Sequence, residues 1–168
     1  MSKQTPEELY ALAITSLETS EPDQALKYAQ TLLSIVDPDL TNAKSETPRV
    51  EALPALNLLG EISVELGDVE NAQKYFHLAV KVDSDGRIPE EQGGGAEKFL
   101  WLAQLSDEGG ADSVKWFEKG VAALKAQIAT LESRNGSDEE KEMRLEDARA
   151  KVANALCGVV EIYMTDLS

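Results

Sequence analysis

Leu56-Asn57-Leu58-Leu59-Gly60, then the pair Gly67-Asp68, then Ala72, Phe76 and Ala79, form the stretch that decides the fold. Apolar residues recur there at three-and-four spacing on both sides of the Gly-Asp pair. This predicts two amphipathic helices folded back on one another through a tight turn. The order of large and small residues is also that of the tetratricopeptide repeat, a helix-turn-helix unit of about 34 residues. Small residues are needed where the two helices approach closely. Large ones fill the space between successive hairpins.

The same order recurs outward from this stretch. Upstream, Leu9, Leu12-Ala13, Ala25 and Ala29 hold the corresponding positions. Their turn is Thr19–Asp23, with Pro22 suited to a first helical position, and Asp37-Pro38 ends the second helix. Downstream, Phe99, Leu102-Ala103, Ser113, Phe117 and Gly120 follow the pattern around a turn at Gly109-Gly110. The helix after that turn is predicted to be long, about 20 residues of good helix formers. After a turn at Asn135-Gly136-Ser137, a last helix is predicted from about Asp138 to Asp166. It supplies the first half of a fourth hairpin, with Gly158 as its small residue and Thr165-Asp166 where Gly67-Asp68 stood. Polar loops at 39–50 and 85–95, the latter carrying Gly93-Gly94-Gly95, stretch the spacing beyond the standard repeat. No segment sustains the two-residue alternation of a strand. The expectation is an all-α, irregular tetratricopeptide solenoid forming a single domain over 1–168. Its repeats span about 6–38, 53–85 and 96–133, with a partial one at 139–168. The chain stops where the fourth hairpin's second helix would begin, leaving an apolar end face, so a fragment of a longer protein is expected.

Charge and composition narrow the function. The 168 residues carry 31 Asp and Glu against 16 Lys and Arg, a net charge of −15. A hydrophobic share of 42% suffices for a core. Uncharged apolar runs fall well short of the ~18 residues a membrane span needs. No secretory leader is expected, since Glu7 and Glu8 follow directly on Pro6. A lone Cys157 leaves no internal disulfide, fits a reducing compartment, and is expected to be buried and inert in its apolar helix. His77 has no second ligand at metal spacing. Asp83, Asp85 and Gly86 miss the spacing of a calcium loop. The three glycines lack the Lys-Ser or Lys-Thr of a phosphate loop. Trp101 and Trp116 read as packing residues rather than a nucleobase platform. With no nucleophile–base pair, metal cluster or nucleotide loop to assemble, an enzyme, a cofactor and a bound metal are not expected. The acidic balance disfavours a phosphate-backbone binder and favours a basic protein partner.

Two segments are more distinctive than a generic repeat. One is Gly93-Gly94-Gly95-Ala96-Glu97-Lys98-Phe99-Leu100-Trp101-Leu102-Ala103-Gln104-Leu105, followed by Gly109-Gly110 and Trp116-Phe117-Glu118-Lys119-Gly120. The other is Ala155-Leu156-Cys157-Gly158 with Glu161-Ile162-Tyr163-Met164-Thr165-Asp166-Leu167. In these the chain resembles a fungal family of tetratricopeptide-repeat assembly chaperones dedicated to the universal large-subunit ribosomal protein four. The likeness runs from about 50 to 168; the earlier residues fit only as a generic repeat. That family continues with more repeats and an acidic tail. The resemblance implies a protein that binds the newly made, basic ribosomal protein through its long internal loop. It would keep the client soluble and escort it to pre-60S ribosome assembly, working in cytoplasm and nucleus. It implies no direct nucleic acid, no membrane and no small-molecule substrate. The alternative is a generic tetratricopeptide scaffold joining other proteins.

In this repeat class the first helix of each hairpin lines the concave face. The second hairpin then offers Asn57, Glu61, Val64 and Glu65. The third offers Glu97, Leu100, Trp101, Gln104, Asp107 and Glu108. The fourth offers Val159, Ile162 and Tyr163, with Glu161 added if the register shifts by one. Carboxylates there would take the place of RNA phosphates opposite Lys and Arg, with a few apolar anchors between them. The plain alternative for any one of them is an ordinary solvated side chain. The positions where some repeat proteins clamp a C-terminal carboxylate are Tyr10, Ile14, Asn57, Glu61, Leu100 and Gln104 here. None is basic, so that mode is not expected.

Overall fold

A computed structural model describes residues 3–134, 136 and 138–165. The predicted turn residues Asn135 and Ser137, and Asp166, Leu167 and Ser168, lie outside them. Every regular element among the described residues is helical. In chain order the α-helices are α1 (Pro6–Glu18), α2 (Pro22–Val36), α3 (Pro38–Thr41), α4 (Leu53–Glu65), α5 (Val69–Val82), α6 (Glu97–Leu105), α7 (Gly110–Ser133) and α8 (Glu139–Thr165), with short 3-10 turns at Val50–Ala52 and Glu90–Gln92. Helices α1 and α2, α4 and α5, and α6 and α7 pack as antiparallel hairpins, and α8 packs on α7. This is the all-α tetratricopeptide-like fold expected from the residue order. The long helix after Gly109-Gly110 has 24 residues. The loop at 39–50 holds a short helix the periodicity did not show, α3, which Pro38 opens at its first position.

Local chemistry sets the helix ends. Thr5 and Glu8 form a reciprocal capping box at the start of α1. Gly67 closes α4 with a left-handed φ of +74°. Asp68 then caps α5 by accepting from the backbone N–H of Asn71 at 3.1 Å. Asp138 plays the same part for α8, accepting from Lys141 N–H at 2.6 Å.

The chain divides into two compact units. One runs to Val82 and includes Glu91–Gly93; the other holds Asp83–Glu90 and the residues from Gly94 onward. In the first unit Ala13, Ala25 and Ala29 are buried with Leu58, Leu59 and Ile62. A second group joins Leu9, Leu32 and Ala55. The Leu-Gly pair has its expected role. A Cβ on Gly60 would come within 2.5 Å of the Phe76 ring, so only glycine lets α4 and α5 approach this closely. In the second unit Gly120 lies against Leu100 and Phe99. Ser113 is buried and donates to the carbonyl of Ala103 at 2.9 Å. Both small residues therefore sit at the α6–α7 contact. Phe99 and Trp116 stack at 6.2 Å, with Lys115 and Lys119 over the Trp116 ring.

Each unit also contains a buried aspartate just after the second helix of a hairpin. Asp37 is fully buried and accepts from the backbone N–H groups of Leu40 at 3.2 Å and Arg49 at 2.7 Å. Asp83 accepts from Ile88 N–H at 3.0 Å, Gly95 N–H at 2.9 Å and the Lys98 ammonium at 2.6 Å. Lys98 also donates to the carbonyl of Gly95 at 2.6 Å. Both side chains of the Asp83–Lys98 pair are only 1% exposed. Burial alone would raise the Asp83 pKa, but its hydrogen bonds from Lys98 and the two backbone amides, with the Lys98 charge, outweigh that and lower it. The loops that stretch the repeat spacing are thus tied back to carboxylates. Cys157 corrects an expectation: it is exposed on α8, on a face shared with exposed Leu156, Val160 and Met164. An apolar helix sequence does not tell which of its faces is covered.

Candidate partner-binding site

The first-unit candidates follow one another along a single helix face of α4. Glu61 and Glu65 are exposed, and Val64 is half-buried. Asn57, half-buried, donates from its amide to the carbonyl of Gly93 at 2.6 Å. It ties down the glycine-rich segment, while its Oδ1 is buried without a hydrogen-bond partner. Tyr10 on α1 faces the same chemistry. Burial raises its phenol pKa, and the Glu61 carboxylate adds to the rise.

In the second unit a cleft of about 350 Å³ opens between α6, α7 and α8. It is lined by Glu97, Leu100, Trp101 and Gln104 of α6, by Phe117 of α7, and by Lys151, Asn154 and Ala155 of α8. The structure thus brings together four of the predicted residues, Glu97, Leu100, Trp101 and Gln104. Phe117 reaches α8 through a contact with Gly158, where a Cβ would sit 3.0 Å from the ring. The floor is aromatic and aliphatic and the rim carries amides and charges, the usual build of a side-chain pocket.

Asp107 and Glu108 are placed differently from the expectation. Helix α6 stops at Leu105, and both acids are exposed in the turn that follows. The cause is Ser106, whose extended backbone leaves the helix. Its hydroxyl donates to Asp112 at 2.6 Å and accepts from Gly109 N–H at 3.2 Å. On α8 Glu161 is exposed and Ile162 half-buried. Neither lines the cleft.

Sequence reasoning missed Lys151. Its ammonium lies 2.6 Å from Glu97 and 3.0 Å from Asp147. Burial pulls the Lys151 pKa down, but the hydrogen bonds and charges of the two carboxylates more than reverse this and raise it. Half of the arrangement was readable, because Asp147 and Lys151 stand four apart on one helix. The contact with Glu97 needed the fold. Among the described residues no group of three or more His, Cys, Asp or Glu is arranged to hold a metal ion. No helix among them is long and apolar enough to cross a membrane.

No protein-family model matches the chain. The chain is 51% identical over 120 residues to the "Probable assembly chaperone of rpl4" of Emericella nidulans, covering 71% of this chain and 29% of that protein. It is 35% identical over 113 residues to the protein of the same name from Schizosaccharomyces pombe, covering 67% of this chain and 29% of that protein. Among solved structures it is similar to "Assembly Chaperone of RpL4 (Acl4)", with a TM-score of 0.83 and 48% identity over 98% of this chain and 56% of that one. The resemblance carried by the two distinctive segments therefore holds. The chain spans about three tenths of the length of these curated relatives.

Proposed function

We propose that this chain, a homologue of the fungal assembly chaperones of RpL4 over most of its length, binds that basic ribosomal protein with acidic and apolar side chains on the first helices of its hairpins. The client segment is its long internal loop, kept soluble until pre-60S assembly. The single observation that carries this reading is the fold-wide match to a solved chaperone of that name at 48% identity. The net charge of −15 and the Glu97-rimmed cleft support it. A Lys- and Arg-rich segment outside the ribosome lacks its RNA phosphates, and carboxylates can replace them reversibly. The residues assigned to the client are Glu61, Val64 and Glu65 on α4, and Glu97, Trp101 and Gln104 in the cleft. Asn57, bonded to the Gly93 carbonyl, shares the α4 face with the first three. Asp107 and Glu108 in the turn, and Glu161 and Ile162 on α8, act at the margins.

The chain acts as a binding protein rather than an enzyme, in cytoplasm and nucleus. It needs no cofactor and makes no direct contact with nucleic acid, membrane or small-molecule substrate. The test is a titration with the isolated internal loop of RpL4 at low and high salt, beside a Glu61→Lys/Glu65→Lys/Glu97→Gln variant. Tight binding that weakens with salt and is lost in the variant is the expected result. No binding at low salt would leave a general repeat scaffold.

A further inference from the structure

We infer that Lys151 is a resident counter-ion which a cationic side chain of the partner displaces from Glu97, so that it tunes how tightly the α6–α8 cleft holds a basic segment. The inference rests on the reading of the partner as basic. Lys151 lies within hydrogen-bonding distance of two carboxylates on two helices, Glu97 at 2.6 Å and Asp147 at 3.0 Å. It is the cation among the residues lining the cleft. Its side chain is 28% exposed, and Glu97 is 47% exposed, so an incoming ammonium or guanidinium can reach the carboxylate from solvent. Asp147 gives the displaced Lys151 a place to remain, one helical turn away on its own helix. The three charges sum to one negative charge. An entering cation therefore exchanges with Lys151 at Glu97, and this subsite gains no additional ion pair. Leu100, Trp101, Phe117 and Ala155 stand beside the exchange point and would take the aliphatic stem of the entering Lys or Arg.

The consequence is a signed prediction. Taking away the resident charge in Lys151→Met should tighten binding of a synthetic Lys- and Arg-rich peptide by about two- to five-fold, the range of a partly exposed ion pair. It should also steepen the dependence of log Kd on log salt, because an ion pair is now formed rather than exchanged. Lys151→Arg keeps the charge and holds both carboxylates with a planar fork, so it should weaken binding relative to wild type. Intrinsic fluorescence of Trp101, which lines the cleft, reads all three titrations, and a Glu97→Gln variant runs beside them. If wild type binds and Glu97→Gln weakens it, but Lys151→Met binds equally or more weakly at an unchanged salt slope, the exchange is overturned and the basic-partner reading stands. If wild type does not bind the peptide at low salt, both fall. If Lys151→Met loses its helical circular dichroism, the Arg variant decides: binding as tight as wild type or tighter overturns the exchange.

Discussion

Removing either member of the buried Asp83–Lys98 pair should destabilise the second unit strongly and unequally. Both side chains are 1% exposed, so neither ion has water to fall back on. Replacing Asp83 with Ala strands the Lys98 ammonium with only the Gly95 carbonyl and the Phe99 ring face and leaves the amides of Ile88 and Gly95 without their acceptor. Each orphaned amide costs about 1–3 kcal/mol, and an unpaired buried charge takes the whole to the upper part of the range of about 3–5 kcal/mol for breaking such pairs. Lys98→Met is milder, about 3 kcal/mol, because the carboxylate keeps two backbone donors and can take up a proton. The double variant Asp83→Leu/Lys98→Met should cost less than the sum of the single changes, since no lone charge remains. Urea unfolding followed by tryptophan fluorescence measures this directly, because Trp101 and Trp116 both belong to the second unit. Folding lowers the Asp83 pKa, so the unfolded chain takes up the proton first as pH drops. The Asp83 share of the pair's contribution is then present above the ordinary carboxylate value and is lost as pH falls through the folded one, whereas Lys98, whose pKa burial lowers against the pull of Asp83, offsets part of it until it loses its proton on the alkaline side. Added salt should change it little, since the pair is buried. A loss below about 1 kcal/mol for Lys98→Met, or single-variant losses that simply add, would refute the reasoning.

Other changes test the remaining joints. Gly60→Ala places a methyl within 2.5 Å of the Phe76 ring and should cost about 1–3 kcal/mol by overpacking, seen as a lower denaturation midpoint for the first unit; an unchanged midpoint would mean the helices part freely. Asp37→Ala removes the acceptor for the Leu40 and Arg49 amides. It should cost about 1–3 kcal/mol and abolish protection of the Arg49 amide in hydrogen exchange. Thr5→Ala breaks the capping box of α1 and should cost about 1 kcal/mol, with faster exchange confined to the first turn of that helix. The raised Lys151 pKa means that the pairing with Glu97 and Asp147 stabilises below the ordinary lysine value and is lost as pH rises through the raised one. A thermal melt at strongly alkaline pH should therefore bring wild type closer to Lys151→Met.

Several elements were legible because their cause is local. The three-and-four spacing around Gly67-Asp68 fixes two helices and the turn between them, since side-chain direction follows from backbone period. The repeat order put Gly60 at a close approach of two helices, and the structure sets it against the Phe76 ring. The candidate site was legible in part for the same reason: Glu97, Trp101 and Gln104 are spaced to share a face of α6. Asp107 and Glu108 were assigned to that face by extending the period, which Ser106 interrupts through hydrogen bonds with Asp112 and Gly109. The exposure of Cys157 depends on which face of α8 is covered, and period alone leaves that open.

By itself, then, the sequence determined helix identity, hairpin order, the small residues at the close contacts and the acidic balance. All of these follow from composition and from neighbours within about one or two helical turns. The tertiary structure decided that Asp37 and Asp83 reach back over irregular loops to bond amides twelve positions on. It decided that Lys98 is buried against Asp83 and that Lys151 leaves its own helix to meet Glu97. These contacts join residues across loops or between helices. Their energy depends on burial and on chain closure, and neither quantity is carried by the local period of the sequence.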